Sequence, residues 1–234
     1  MKRKTTIIPT ILILLLVGIV FFKNSIILDS LGIHIELPFT KKIEIPDTYT
    51  AVDSNHNGVS DALDIVHTAR VEVENRTNYE SNYYSGGYPP DDEGVCTDVI
   101  WRGLKGIDVD LKTMMDKDIA ENVDLYPRVN GKPDPNIDFR RVPNQYAYFE
   151  RHYEVLTTEL KPYDVNNLEQ WQPGDIVLFL GGFHHVAIIS DRRAKDGTPY
   201  IIHNTQPFAS EIKLSSISEP IVGHYRLKYD ELNS

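Results

Sequence analysis

One cysteine, Cys96, stands in 234 residues, so no disulfide can close within the chain and no cysteine-rich zinc site can be built. No cysteine follows the N-terminal apolar run directly, which excludes lipidation there. Basic charge is also short: 24 Lys and Arg against 34 Asp and Glu leave a formal net charge of −10. Phosphate binding needs clustered Lys and Arg, so a nucleic-acid binder is excluded. Peripheral attachment to anionic lipid is disfavoured for the same reason. Internal repeats and low-complexity segments are absent.

What is present suits a globular domain, since 41% of residues are hydrophobic and 10% aromatic. The 13 tyrosines suit either a ring-lined groove or a mixed core. Lys2, Arg3 and Lys4 precede an apolar run, Ile7 to Phe22, closed by Lys23. Its 16 residues are slightly short of the roughly 20 that span a bilayer, a gap that snorkelling lysines can bridge. No small-residue cleavage pattern follows, so residues 1–24 are expected to form an uncleaved signal anchor rather than a removed leader. The positive-inside rule then places the rest of the chain outside the cytoplasm, or secretes it if the segment is cut.

Residues 25–49 read as a linker and residues 50–229 as one domain. Helical spacing of Ala62, Ile65, Val66, Ala69 and Val73 predicts a helix from Ser60 to about Asn75. A loop rich in Tyr and Gly follows from Asn78 to Gly94. Further helices are expected over Cys96–Leu104, Leu111–Asn122 and Gln145–His152, with a long ordered loop from Tyr126 to Asn144. The last third turns to short β-prone runs: Ile176–Leu180, Val186–Ser190, Tyr200–Asn204, Ile212–Leu214 and Ile221–Leu227. Helices first and an antiparallel sheet afterwards spell α+β.

A lone thiol in an oxidising compartment is a liability without a job. Cys96 opens a helix, where unpaired N–H groups of the first turn stabilise a thiolate. The competing reading is a buried structural cysteine. A base is offered by His185, which leads a buried strand, and His203 ends the next one. If those strands form a hairpin, His185 takes the thiol proton and His203 orients its ring.

Trp171-Gln172-Pro173-Gly174-Asp175-Ile176-Val177, His185-Val186-Ala187-Ile188-Ile189 and Ile202-His203-Asn204 together resemble the NlpC-type cell-wall peptidases. Gly94-Val95-Cys96-Thr97-Asp98-Val99, Pro133-Asp134-Pro135-Asn136-Ile137-Asp138, Arg140-Arg141-Val142-Pro143-Asn144 and Gly223-His224-Tyr225-Arg226 are similar to the domain-of-unknown-function family DUF1287, over roughly residues 65–227. The resemblance implies a papain-like α+β fold, a Cys96-His185-His203 triad, and hydrolysis of amide bonds in peptidoglycan stem peptides. Endopeptidase, amidase and transacylase chemistry share the acyl-thioester step, so all three stay open. In the superfamily a tyrosine before a Gly-Gly pair helps hold the oxyanion, and Tyr83 and Tyr84 before Gly86-Gly87 are both candidates. The usual D-C-S-G is V-C-T-D here, which makes Asp98 a candidate substrate contact, as is Asn204. Phe139 stands where the narrower family is expected to carry histidine. Arg140, Arg141 and Asn144 are candidates for binding substrate carboxylates. At least one arginine is expected instead to pair with Asp134 or Asp138.

A second motif lies upstream. Asp53, Asn55, Asn57, Asp61 and Asp64 occupy positions 1, 3, 5, 9 and 12 of a calcium-type loop, with Gly58 at 6 and the Val59 carbonyl at 7. It resembles dockerin-like extracellular repeats, and a structural calcium ion is expected; an Asx-rich helix cap is the alternative. Two rival functions remain. A metal-dependent hydrolase would use His184, His185, His203, His224 and Asp175, but their spacing matches no strong zinc motif and Cys96 is left without a role. A non-catalytic module would grip wall peptides without cutting them.

Overall fold

A computed structural model describes residues 18, 26–36 and 39–231. From residue 26 onward the helices are α1 (Ile26–Ser30), α2 (Asp61–Glu74), α3 (Cys96–Lys105), α4 (Leu111–Glu121), α5 (Val142–His152) and α6 (Val165–Leu168). The strands are β1 (Asn78–Tyr79), β2 (Glu93–Gly94), β3 (Glu154–Val155), β4 (Ile176–Leu180), β5 (His184–Arg193), β6 (Pro199–Thr205), β7 (Phe208–Lys213) and β8 (Ile221–Arg226). They form one eight-stranded sheet in the order β2-β1-β7-β6-β5-β4-β8-β3. All pairings are antiparallel except β1 with β2. The class is α+β.

Strand alternation divides the core in two. Val186 and Ile188 of β5, with Ile202 of β6, face α2 and α3 and join Ala62, Ile65, Ala69, Val99, Ile100 and Leu104. Ala187, Ile189, Ile201 and Ile212 point the other way, against Trp171, Val177 and Phe179. Helix α3 lies very close to β5, because Gly103 has no side chain to hold it off: a Cβ there would stand 2.6 Å from Ile188 Cδ1.

Several boundaries differ from the expected ones for identifiable reasons. Helix α5 begins at Val142, three residues early, with Pro143 in its first turn, where a missing N–H costs nothing. Strand β7 reaches back to Phe208; its buried Ser210 and Glu211 disguise it as a loop. The short strands β1 and β2 lie inside the expected Tyr/Gly loop.

The segment expected as a linker docks on the body. Ile43 N–H donates to Lys195 O at 3.0 Å, Gln172 Nε2 donates to Pro46 O at 3.1 Å, and Ser216 Oγ donates to Asp29 Oδ2 at 2.9 Å. Among the described residues no helix is long and apolar enough to cross a membrane. Apart from Gly18, the apolar run Ile7–Phe22 lies outside them.

Gly103→Ala should destabilise the protein by about 1–3 kcal/mol through overpacking, although alanine is the better helix former by about 1 kcal/mol. The urea midpoint reads the sign directly, and a rise would mean that α3 and β5 are not held at this spacing.

Candidate active site

Gly94 and the extended Val95 deliver the chain to Cys96 at the first position of α3. Cys96 is 8% exposed. Burial pushes its thiol up to about 12; the backbone N–H groups of Val186, Thr97 and Cys96 oppose the rise, and the Asp98 carboxylate adds to it. The Val186 contact locates the thiol relative to the sheet. The register of β5 on β6 begins at Ile188↔Ile202, so nearer to His185 the two strands part. The Val186 backbone, one residue from His185 on β5, is among the groups that act on the thiol.

His185 Nε2 lies 2.7 Å from His203 Nδ1, with the rings edge to face. His203 Nε2 in turn meets Ser210 Oγ at 3.1 Å, across the β6–β7 pair His203↔Ser210. Desolvation lowers His185 to about 4. Desolvation, then the neighbouring His185, lowers His203 well below the usual histidine range. Burial thus disfavours the charged form of the thiol and of both imidazoles. The hairpin expectation for His185 and His203 is met; Ser210 is an addition that its place in an apparent loop concealed.

Four candidate substrate contacts, Asp98, Arg140, Asn144 and Arg141, are engaged within the protein. Arg140 Nε and an Arg140 terminal nitrogen each donate to one oxygen of Asp98 at 2.7 Å. The same carboxylate accepts from Val95 N–H and Trp101 Nε1, both at 2.8 Å. Asn144 accepts from Arg128 N–H and donates to Asp138 O, both at 3.0 Å, pinning the long loop. Arg141 is the arginine that pairs with Asp138, at 3.4 Å.

The tyrosines divide in an unexpected way. Tyr83 donates to Asp134 at 3.1 Å and Tyr84 to Glu93 at 2.7 Å. Tyr79 on β1 runs beside Gly94 instead, and its hydroxyl is raised by burial and then by the charge of Cys96. A two-residue strand has no sequence signature, so the place of Tyr79 beside Gly94, two residues before Cys96, was not foreseeable. Asn204 is buried on β6; its Nδ2 donates to Thr77 O at 3.2 Å and its Oδ1 has no partner among the described residues.

The five residues of the metal-hydrolase alternative do not gather. His224 binds Asp175 at 3.0 Å and stacks on Trp171, His185 turns to His203, and His184 is exposed. Among the described residues no group of three or more His, Cys, Asp or Glu is placed to hold a metal.

The upstream loop is folded tightly around its Asn and Asp side chains. Asp53 accepts from Asn57 N–H and Gly58 N–H, Asn55 Oδ1 from Asn57 N–H, and Asn57 Oδ1 from Val59 N–H. Asn55 and Asn57 Nδ2 both reach Asp64 Oδ2 at 2.9 Å, so three of the five side chains converge. Asp61 is taken by Ser54.

A family model described as a domain of unknown function, DUF1287, matches residues 66–227. The "Uncharacterized protein YijF" of Escherichia coli (strain K12) is 35% identical over 212 residues, which cover 87% of this chain and 98% of that one. No solved structure matches.

Removing Arg140 leaves the Asp98 carboxylate buried and unpaired, so Arg140→Ala should cost about 3–5 kcal/mol in urea unfolding. A loss under about 1 kcal/mol, typical of an exposed pair, would show that this pair does not hold the start of α3.

Proposed function

The chain belongs to the DUF1287 family, and we propose that it is a cysteine hydrolase of amide bonds with Cys96 as nucleophile, His185 as base and His203 as the group that orients it. One observation supports the reading: Cys96 opens a helix packed on β5 and β6, the two strands that carry the 2.7 Å His185–His203 pair, and the Val186 backbone next to His185 acts on its thiol. A helix opening on its nucleophile and packed on an antiparallel sheet also suits the NlpC-type papain-like fold suggested by the sequence motifs.

The chemistry follows from the burial that disfavours charge on these groups. Cys96 sulfur attacks the amide carbon while its proton passes to His185, avoiding a buried thiolate. His185 must then carry its proton on Nε2 at rest, donating to His203 Nδ1, while His203 donates from Nε2 to Ser210. The α3 first-turn N–H groups and the Tyr79 hydroxyl would hold the oxyanion. His185 returns the proton to the departing amine. Water, deprotonated by His185, then releases the acid from the thioester.

Substrate and setting rest on the sequence resemblance: stem-peptide amides of peptidoglycan, met outside the cytoplasm by a body anchored through residues 1–24. A structural calcium ion in the loop 53–64 would be held by Asp53, Asn55, Asn57, Asp64 and the Val59 carbonyl. Asp61, bound to Ser54, would join only by releasing it.

Full-length wild type and Cys96→Ala, in detergent with purified peptidoglycan, should differ in fragments read by mass spectrometry, with release by wild type alone. His185→Ala should lose about 10²–10⁴-fold. Fragments from both proteins would refute the thiol mechanism; none from either, with both sedimenting with the wall, would favour a binding module. Because His185 must be neutral to accept a proton, kcat/KM should fall only as pH drops through about 4. An acid limb near 6.5 would mean that the base is solvated. Millimolar calcium should raise the thermal midpoint of wild type and not of Asp53→Ala; equal midpoints with and without calcium would leave the loop a helix cap alone.

A further inference from the structure

Residues 31–36 cross the body with their polarity reversed. Leu31, Ile33 and Ile35 are 50%, 51% and 39% exposed, and Phe39 is 99% exposed. The polar residues between them turn inward. His34 packs on Tyr200 with ring centroids 4.6 Å apart and lies 3.3 Å from Asp29. Glu36 accepts from Lys195 N–H at 3.3 Å and stands 3.7 Å from Lys213 Nζ. An ordinary surface strand buries its isoleucines and shows its glutamate to water. Here the inward contacts fix the strap so that its apolar edge has no cover among the described residues.

The position of the strap says what covers it. Only three residues separate the run Ile7–Phe22 from α1, and α1 leads directly to Leu31. Three intervening residues, even fully extended, and five helical ones reach about 20 Å at most, so Leu31 cannot leave the neighbourhood of the end of that run. Exposed Lys41 and Lys42 follow the ridge, where their long stems can lie along an interface. With a net charge of −10, attraction to anionic lipid cannot supply the contact, whereas insertion of apolar side chains can.

We propose that Leu31, Ile33, Ile35 and Phe39 form a membrane-docking ridge that seats the body on the bilayer interface in one orientation. This rests on the reading of Ile7–Phe22 as an anchor. The anchor alone would tether a freely tumbling domain; the ridge converts the tether into a fixed pose.

The test uses the full chain in phosphatidylcholine vesicles, in a Cys96→Ala background, with an environment-sensitive fluorophore on Ile33→Cys or, as control, on Val155→Cys at the far edge strand. Lipids spin-labelled high in the acyl chain should quench position 33 severalfold more than 155, with blue-shifted emission at 33. The triple variant Leu31→Ser, Ile33→Ser, Ile35→Ser should still float with the vesicles yet lose lipid quenching of a label on Phe39→Cys. Equal, water-exposed signals at 33 and 155 in floating protein would overturn the ridge and leave the anchor intact. A blue-shifted but unquenched label at 33 would overturn it in favour of a second copy. Protein that fails to float would remove the anchor, and the ridge with it.

Discussion

The Asp98–Arg140 pair is the constraint from which the site follows. Its carboxylate takes four hydrogen bonds, two from the Arg140 guanidinium and one each from Val95 N–H and Trp101 Nε1. The contacts tie the strand before the nucleophile, the third residue of its helix and the long loop to one buried point. Thr97 Oγ1 donates to Arg140 O at 3.0 Å, and Gln145 Nε2 donates to Phe139 O at 3.0 Å, so α5 locks the same loop. A helix start so held has little freedom, which is what a thiol aimed at one backbone amide requires.

The sheet supplies the other half. Register places Ile188 opposite Ile202, and the ladder between β5 and β6 stops there, short of His185. The imidazoles sit where the ladder ends, and Ser210 fixes the second ring from β7. Burial disfavours charge on the thiol and on both histidines, so the arrangement stores protons in neutral groups rather than in an ion pair.

Much of this was legible in the amino-acid order. The periodicity of Ala62, Ile65, Val66 and Ala69 and the apolar runs of β4 and β5 are local signals, and the structure follows them. The His185–His203 pairing was legible because each histidine ends or leads a recognisable strand. What escaped depends on long-range partners. Asp98 and Arg140 read as free polar groups because nothing local reveals that they are 42 residues apart in sequence and bonded in space. Tyr79 reaches the thiol region through a two-residue strand, and Ser210 lies among polar residues that only the sheet buries. The docked strap was hidden by its own inversion, since Ile33-His34-Ile35-Glu36 buries the half that alternation would expose.

The buried neutral thiol has a consequence for durability. Peroxide and disulfide reagents are attacked by the thiolate, and solvent access limits both reactions. A sulfur that is nearly covered and keeps its proton at neutral pH offers oxidants little of either. Where no second cysteine exists to form a rescuing disulfide, slow oxidation is the protection left to Cys96. The burial that withholds its reactivity until a substrate arrives therefore also preserves it between encounters.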